Sequence, residues 1–264
     1  MSHIHIDIAD LSFAYEKGSQ ILDQLTVSFH EHDAVGIIGA NGAGKSTFLK
    51  LIVGLETAQA GSIRIEEIPV EKKTLPKIRE KIGYVFQDSE TQLFMTTVRE
   101  DVAFAPRNYS LPEDEVARRV AHALDLVHIT HLADKPVHKL SGGEKKLASI
   151  ATILSMTPDI LLMDEPSIAL DPRNRKNLIS ILNEFDHLKL IASHDLDLIW
   201  DTCNRVILMD QGRIAADGLT EEILRNEALL TAHGLELPLS LTNRMVTVQG
   251  PADNPPAKSP HRAP

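Results

Sequence analysis

Ala34-Val-Gly-Ile-Ile-Gly39-Ala-Asn41-Gly42-Ala-Gly44-Lys45-Ser46-Thr47 is the stretch that decides the fold. Its first five residues form a short apolar run of strand type, bounded by Gly39. Its last residues open a segment to Leu55 in which apolar side chains recur at helical spacing and Gly54 marks the end. Between strand and helix, Gly39 to Ser46 matches the phosphate-loop pattern, two glycines bracketing four residues and followed by Lys-Ser. Such a loop turns several main-chain N–H groups onto phosphate oxygens. That needs permissive glycine dihedrals and a helix whose positive N-terminal end faces the charge. Lys45 is placed to hold the outer phosphates and Ser46 to ligate Mg2+. Gly39, Asn41, Gly42, Gly44 and Thr47 complete the cradle.

A second strand ends in carboxylates. Ile160-Leu-Leu-Met-Asp164-Glu165-Pro166 brings two adjacent acids to a strand end, the place where α/β sheets bind ligands. Asp164 suits the Mg2+ shell and Glu165 the attacking water, because phosphoryl transfer needs positioning and charge stabilisation more than covalent help. Further short strands at Gly83–Phe86, Leu190–Ser193 and Arg205–Asp210 alternate with helical patterns, which predicts a parallel sheet with helices on both faces. Residues 3–8 and Ile21–Phe29 alternate with period two around a turn at Gly18 and Ser19, so an antiparallel β subdomain is expected. The fold class is α/β: a P-loop nucleotide-binding core with that subdomain and an inserted helical lobe over about 88–157, broken at Pro106, Pro112 and Pro136. The nucleotide-binding unit spans 1–225, a helical extension 226–248, and a disordered tail 249–264, which holds five of the 14 prolines.

Hydrophobic residues make up 43% of the 264 and charged residues 24%, a composition that supports a real core and excludes disordered, collagen-like and disulfide-stapled chains. No apolar run nears the roughly 20 residues that span a bilayer. Met1–Asp10 lacks the basic flank and apolar stretch of a signal peptide, so a cytoplasmic location is expected. Cys203 stands alone and permits no intramolecular disulfide. The net charge of -10, from 27 basic and 37 acidic residues, opposes nucleic-acid binding. The densest basic segments, Lys72–Lys81 and Arg173–Lys176, read as solvated helix faces.

Leu140-Ser141-Gly142-Gly143-Glu144 opens a helical segment, with Ser141 as its N-cap and two glycines that admit an anion close to the backbone. Together with the phosphate loop, the Asp164-Glu165 strand and His194, in this order, it makes the chain resemble the ATP-binding-cassette ATPases over about residues 3–225. The resemblance implies that two cassettes pack head to tail, so that Ser141, Gly142, Gly143 and Glu144 contact ATP held by the phosphate loop of the other. It also implies ATP and Mg2+ as cofactors and Glu165 as the catalytic carboxylate. Gln87 becomes the Q-loop glutamine that senses Mg2+ and water. His194 becomes the switch histidine near the γ-phosphate, Asp171 the D-loop aspartate across the dimer, and Tyr15 the aromatic on adenine. Three positions depart from the common pattern: Ile168-Ala169 replaces Ala-Gly before Leu170-Asp171, and Glu144 replaces a glutamine.

Val85–Phe94 with Thr97–Phe104 and Pro106 resembles the energy-coupling-factor branch, and Leu235–Leu241 is similar to its CbiO-type members, which drive cobalt or nickel uptake. That branch implies a second ATPase subunit, as a homodimer, on an integral membrane scaffold at the cytoplasmic face of the cell membrane. A separate small membrane protein would bind the substrate. Gln92, Leu93, Phe94, Val98 and Phe104 are the candidate floor for a scaffold helix. The ATPase of a conventional importer is the alternative, followed by a soluble ATPase acting on a macromolecule. A phosphate-loop kinase or GTPase is disfavoured, since no guanine-reading Asn-Lys-x-Asp occurs. Among 12 histidines, His3 and His5 share a strand face and His128 and His131 lie one helical turn apart. No cysteine or carboxylate completes a recognisable ligand set, so solvated faces are expected.

Overall fold

Ala34–Ile38, Ile160–Asp164 and Leu188–Ala192 are buried at every residue and form the middle of a six-stranded sheet. The computed structural model describes residues 4–16 and 18–246. In chain order the strands are β1 (His5–Ala14), β2 (Gln20–His30), β3 (Ala34–Ile38), β4 (Ala60–Ile65), β5 (Ile68–Pro69), β6 (Ile82–Val85), β7 (Ile160–Asp164), β8 (Leu188–Ala192), β9 (Arg205–Asp210) and β10 (Arg213–Leu219). The helices are α1 (Lys45–Ile52), α2 (Leu75–Arg79), α3 (Val98–Asn108), α4 (Glu113–Leu126), α5 (Gly142–Leu154), α6 (Pro172–Glu184), α7 (Leu196–Thr202), α8 (Thr220–Leu224), α9 (Glu227–Ala232) and α10 (Leu239–Val246).

The larger sheet runs β10-β9-β3-β8-β7-β6 and is parallel except for the β9–β10 hairpin at one edge. Its central strands are apolar on both faces because both faces are covered. Lys189 in β8 obeys the same burial: its ammonium donates to Leu182 O at 2.6 Å and Phe185 O at 2.9 Å, closing carbonyls at the end of α6. The smaller sheet, β2-β1-β4-β5, is antiparallel. Its Phe29 meets Phe48 of α1 with ring centroids 6.4 Å apart, joining the two sheets in one core.

Between β6 and β7, α3, α4 and α5 close a lobe around Val102, Val120, Leu124 and Ile150. Capping boxes start two of these helices, Thr97 with Glu100 for α3 and Ser141 with Glu144 for α5. At Pro106 the structure corrects the sequence reading, because α3 continues through it to Asn108. Proline denies an N–H to the carbonyl four residues back, that of Val102. The fully buried Ser155 hydroxyl donates to that oxygen at 2.8 Å. A tertiary donor thus replaces the missing helical one. Pro112 caps α4, and Pro136 precedes a short 3-10 turn, as breaks should.

In the basic segments Lys72, Lys73, Lys77, Arg173 and Lys176 are exposed as expected, while Arg79, Lys81 and Arg175 are drawn into contacts. Arg79 donates to Val53 O and Gly54 O at the end of α1, Lys81 pairs with Glu66, and Arg175 clamps Asp195 through bonds of 2.6 and 2.8 Å. Beyond β10, the Asp197 carboxylate accepts from Leu239 N and Ser240 N, both at 3.0 Å, which ties the start of α10 to α7. The tail expected over 249–264 lies outside the described residues. Among the described residues no helix is long and apolar enough to cross a membrane.

Candidate nucleotide site

The β3–α1 loop encloses a cavity of about 290 Å3, lined by Asn41 to Thr47 and, from other elements, by Ile21, Gln87, Glu165 and His194. Two glycines permit this course. Gly39 has φ +149° and a Cβ there would lie 2.2 Å from Met209 O; Gly44 has φ +100° and would meet Leu22 at 2.6 Å. Side chains at either position would clash as well as strain the backbone. The first N–H groups of α1 have no helical partner, the usual basis of a phosphate cradle, and the residues that carry them, Lys45 to Thr47, line the cavity. Lys45 Nζ sits at its centre, donating to Gly39 O at 2.7 Å and Ala40 O at 3.2 Å, and lies 3.3 Å from His194 Nε2. Burial lowers the pKa of this ammonium, partly offset by Glu165 and Asp164. Tyr15 stands at the rim, 53% exposed, edge-on to Phe13, with its hydroxyl 3.3 Å from Thr47 Oγ1.

The two acids of β7 differ sharply in setting. Asp164 is buried, and its Oδ1 accepts from the Ser46 hydroxyl at 2.9 Å. Burial raises its pKa, against the smaller pull of Ser46 and of lysines 50, 146 and 45. A buried carboxylate joined to a neutral hydroxyl is a hard-oxygen pair that fits Mg2+, whose charge would offset the desolvation. Glu165 has φ +47°, a left-handed turn that folds its side chain toward β8. There Oε2 accepts from Ser193 Oγ at 3.2 Å and His194 N at 3.1 Å. Oε1 is buried with no hydrogen-bond donor and lies 3.4 Å from His194 Nε2. One carboxylate oxygen is therefore fixed and the other is free to accept a proton or orient a water.

Ser141 to Glu144 do not line this cavity. Ser141 and Gly142 are exposed at the start of α5, where Ser141 Oγ accepts from Glu144 N and Glu144 returns the bond to Ser141 N at 2.7 Å. The Glu144 pKa is lowered by that main-chain bond first and by Lys135 second. A Cβ on Gly143 would come within 2.9 Å of Ala169 O, so the glycine turn packs against the loop ahead of Asp171. Ala169 has φ +68°, the conformation for which glycine is the usual choice. Asp171 caps α6, accepting from Asn174 N at 2.8 Å.

These features match known proteins along most of the chain. The ABC transporter family profile covers residues 22–168. The chain belongs to the ABC transporter ATPases. The energy-coupling factor transporter ATP-binding protein EcfA of Methanothermobacter thermautotrophicus is 41% identical over 91% of this chain and 79% of its own. The structure of cbiO1 from Clostridium perfringens, described as part of the ABC transporter complex cbiONQ, is 34% identical with a TM-score of 0.75, covering 92% of this chain and 98% of that one. The cassette MJ0796, a dimer in a post-hydrolysis state bound to ADP and Pi, is 25% identical with a TM-score of 0.75 over 81% of this chain and 98% of its own. This cassette accordingly binds and hydrolyses ATP.

The expected docking floor of the cassette divides in two. Leu93 and Val98 are buried in the lobe core, and Gln92 is half-buried, donating to Ser149 O at 2.7 Å and Thr152 Oγ1 at 2.8 Å. These three hold the lobe together and do not form a surface. Phe94 and Phe104 remain outside, 63% and 40% exposed, as an edge-on pair with centroids 4.8 Å apart. The buried Asp101 carboxylate accepts from Phe94 N and Met95 N, both at 3.1 Å, and so presents Phe94.

Residues missed in the sequence also border the site. Tyr84, two residues before Phe86, shares a hollow of about 540 Å3 with Gln87 and Asp164, and strand alternation placed it there. Lys146, which the sequence did not single out, is buried beneath Gln87. The histidine expectation is corrected at His5: Asp7 and Glu67 stand beside it, with ligand atoms within 4.8 Å of one another. Arg64 already holds Glu67 at 3.1 Å, and His5 and Arg64 together lower the Glu67 pKa. His3 lies outside the described residues.

Proposed function

We propose that this cassette is the ATP-hydrolysing subunit of an energy-coupling-factor transporter for cobalt or nickel ions, acting as a homodimer at the cytoplasmic face of the cell membrane. The observation that carries the reading is the division of the site. The phosphate loop, Gln87, Glu165 and His194 share one cavity, while the exposed Ser141–Gly142 turn stands outside it. A second cassette completes the first, as the dimeric MJ0796 relative supports. EcfA and cbiO1 support the transporter branch, and the similarity of Leu235–Leu241 to CbiO-type chains supports the metal cargo.

In this reading Lys45 and the loop N–H groups hold the phosphates, and Ser46, Asp164 and Gln87 hold Mg2+. The ion supplies charge neutralisation on the phosphate oxygens. Glu165 Oε1 orients or deprotonates the attacking water, and its Oε2 bonds keep the carboxylate aimed. His194 reaches the γ-phosphate. Ser141, Gly142, Gly143 and Asp171 meet the other cassette's nucleotide. Closure of the dimer is passed through the Gln87 region to the exposed Phe94–Phe104 pair and a scaffold helix lying on it.

The test is capture of membrane partners by the Glu165→Gln chain in mild detergent with ATP and Mg2+, followed by mass identification of every chain. A scaffold together with a small membrane protein carrying cobalt or nickel is the expected result. Phe94→Asp should lose both while still binding ATP. A paired conventional permease would move the cassette to an ordinary importer, and the absence of any membrane protein would overturn the transport reading.

A further inference from the structure

Lys146 is only 2% exposed, four residues into α5 from Gly142, or about 6 Å along the helix axis. Its ammonium donates to Phe86 O at 3.0 Å and Gln87 O at 2.8 Å. Burying a cation is unfavourable unless its donors are used, and here they are spent on two consecutive carbonyls of the Q-loop. Burial lowers the pKa of this group, with Asp164, Asp88 and Glu165 opposing from further away. A second tie lies beside it. Gln92 accepts from Phe86 N at 3.2 Å and donates to Ser149 O and Thr152 Oγ1. The segment that carries Gln87 is thus bonded to α5 at residues 146, 149 and 152, directly behind the turn that presents Ser141 and Gly142.

We propose that Lys146 is a positioning residue that couples the two half-sites of the cassette, by locking the backbone of Gln87 to the first turns of α5. Movement of the glycine turn against a second cassette then shifts Gln87 in the first cassette's cavity without bending α5. By linkage, occupancy at Gln87 alters the affinity of the glycine turn for the second cassette to the same degree. This inference rests on the composite-site reading above. What it adds is the part that joins the halves.

The test uses the full chain carrying Lys146→Met, Lys146→Arg, Gln87→Ala, or Lys146→Met with Gln87→Ala. Steady-state hydrolysis is measured alongside binding of a fluorescent ATP analogue and thermal melting. ATP-driven dimer formation is measured with the Lys146 variants placed in a Glu165→Gln background. Lys146→Met should lower kcat and dimer formation about tenfold or more, with the nucleotide Kd within about threefold, because the phosphate loop is untouched. Lys146→Arg should recover a substantial part. The double variant should be no worse than Gln87→Ala alone, the signature of residues acting as one unit. Additive losses, or wild-type kcat in Lys146→Met, would overturn the coupling role. Wild-type kcat in Gln87→Ala would instead overturn the composite-site reading beneath it. If Lys146→Met melts early, Lys146→Gln, which keeps a donor, is judged by the same criteria.

Discussion

Lys45 and Lys146 are both buried lysines whose pKa is pushed down by burial, yet they sit in regions built to different ends. Lys45 belongs to a cavity whose polar groups are held ready. Asp164 has a single hydroxyl on Oδ1, and Glu165 Oε1 has no donor. Lys146 belongs to a lobe whose buried polar groups are mostly paired with main chain: Lys146 with Phe86 and Gln87, Gln92 with Ser149, Ser155 with Val102. Asp101, whose Oδ2 lacks a donor, is the lobe's exception. Under-satisfied buried groups reduce stability and keep binding capacity in hand, whereas paired ones add rigidity. The cavity should therefore be costly to alter for nucleotide binding and cheap for stability, and the lobe the reverse.

The largest test of that contrast is Lys45→Ala. Charge-assisted hydrogen bonds contribute about 1.5–3 kcal/mol each, so ATP affinity should fall about 10- to 100-fold. The melting temperature should hold or rise, since a buried cation whose partners are two carbonyls and the His194 ring, with no carboxylate in hydrogen-bond contact, is removed. Fluorescent-nucleotide titration and thermal melting read the two quantities separately. Unchanged affinity, or a large drop in melting temperature, would erase the distinction between the regions.

Ser155→Ala probes the other side. It strips the donor from Val102 O, which Pro106 leaves without a helical partner, and should cost about 1–3 kcal/mol in urea unfolding with ATP affinity unchanged. Pro106→Ala in the same chain restores an N–H to that carbonyl and should return much of the loss. Failure of this rescue would mean that Ser155 acts through packing alone.

Those pairings also mark how far the sequence could be read. The phosphate loop, the strand ending in Asp164-Glu165 and the N-cap at Ser141 are contiguous patterns, so their residue types and their secondary structure could be read together. Ser155 and Pro106 are 49 positions apart by number, Lys146 and Gln87 59, and Gln92 and Ser149 57, and no local periodicity encodes who meets whom across such distances. Leu93, Phe94, Val98 and Phe104 are apolar by residue type. Which of them face the core was settled only by α4 and α5 closing over Leu93 and Val98. His5 was likewise judged from its own strand, while one of its carboxylate neighbours, Glu67, arrives from the β4–β5 turn.

The smallest and most selective test is Glu144→Gln, at a signature position that, like Ser141, belongs both to the cap of α5 and to the proposed contact with a second cassette. Glutamine keeps the bond to Ser141 N but loses the charge that Lys135 faces at 2.9 Å. The pair is partly exposed and screened, so about 0.5 kcal/mol is expected at neutral pH, with hydrolysis within about twofold of wild type. The pH dependence gives the sign. Glu144 has a folded-state pKa below its unfolded value, because Ser141 N and Lys135 favour the carboxylate. Its contribution is therefore present above the unfolded pKa of about 4.3 and is lost as pH falls through the lower folded value. Urea midpoints of the two chains should differ at pH 7 and converge in the acid range once pH is below the lowered folded-state value, where the glutamate is protonated in both states. A difference that persists there would place the effect in the shape of the helix cap, and a large loss of hydrolysis would show that the carboxylate itself serves the other cassette's nucleotide.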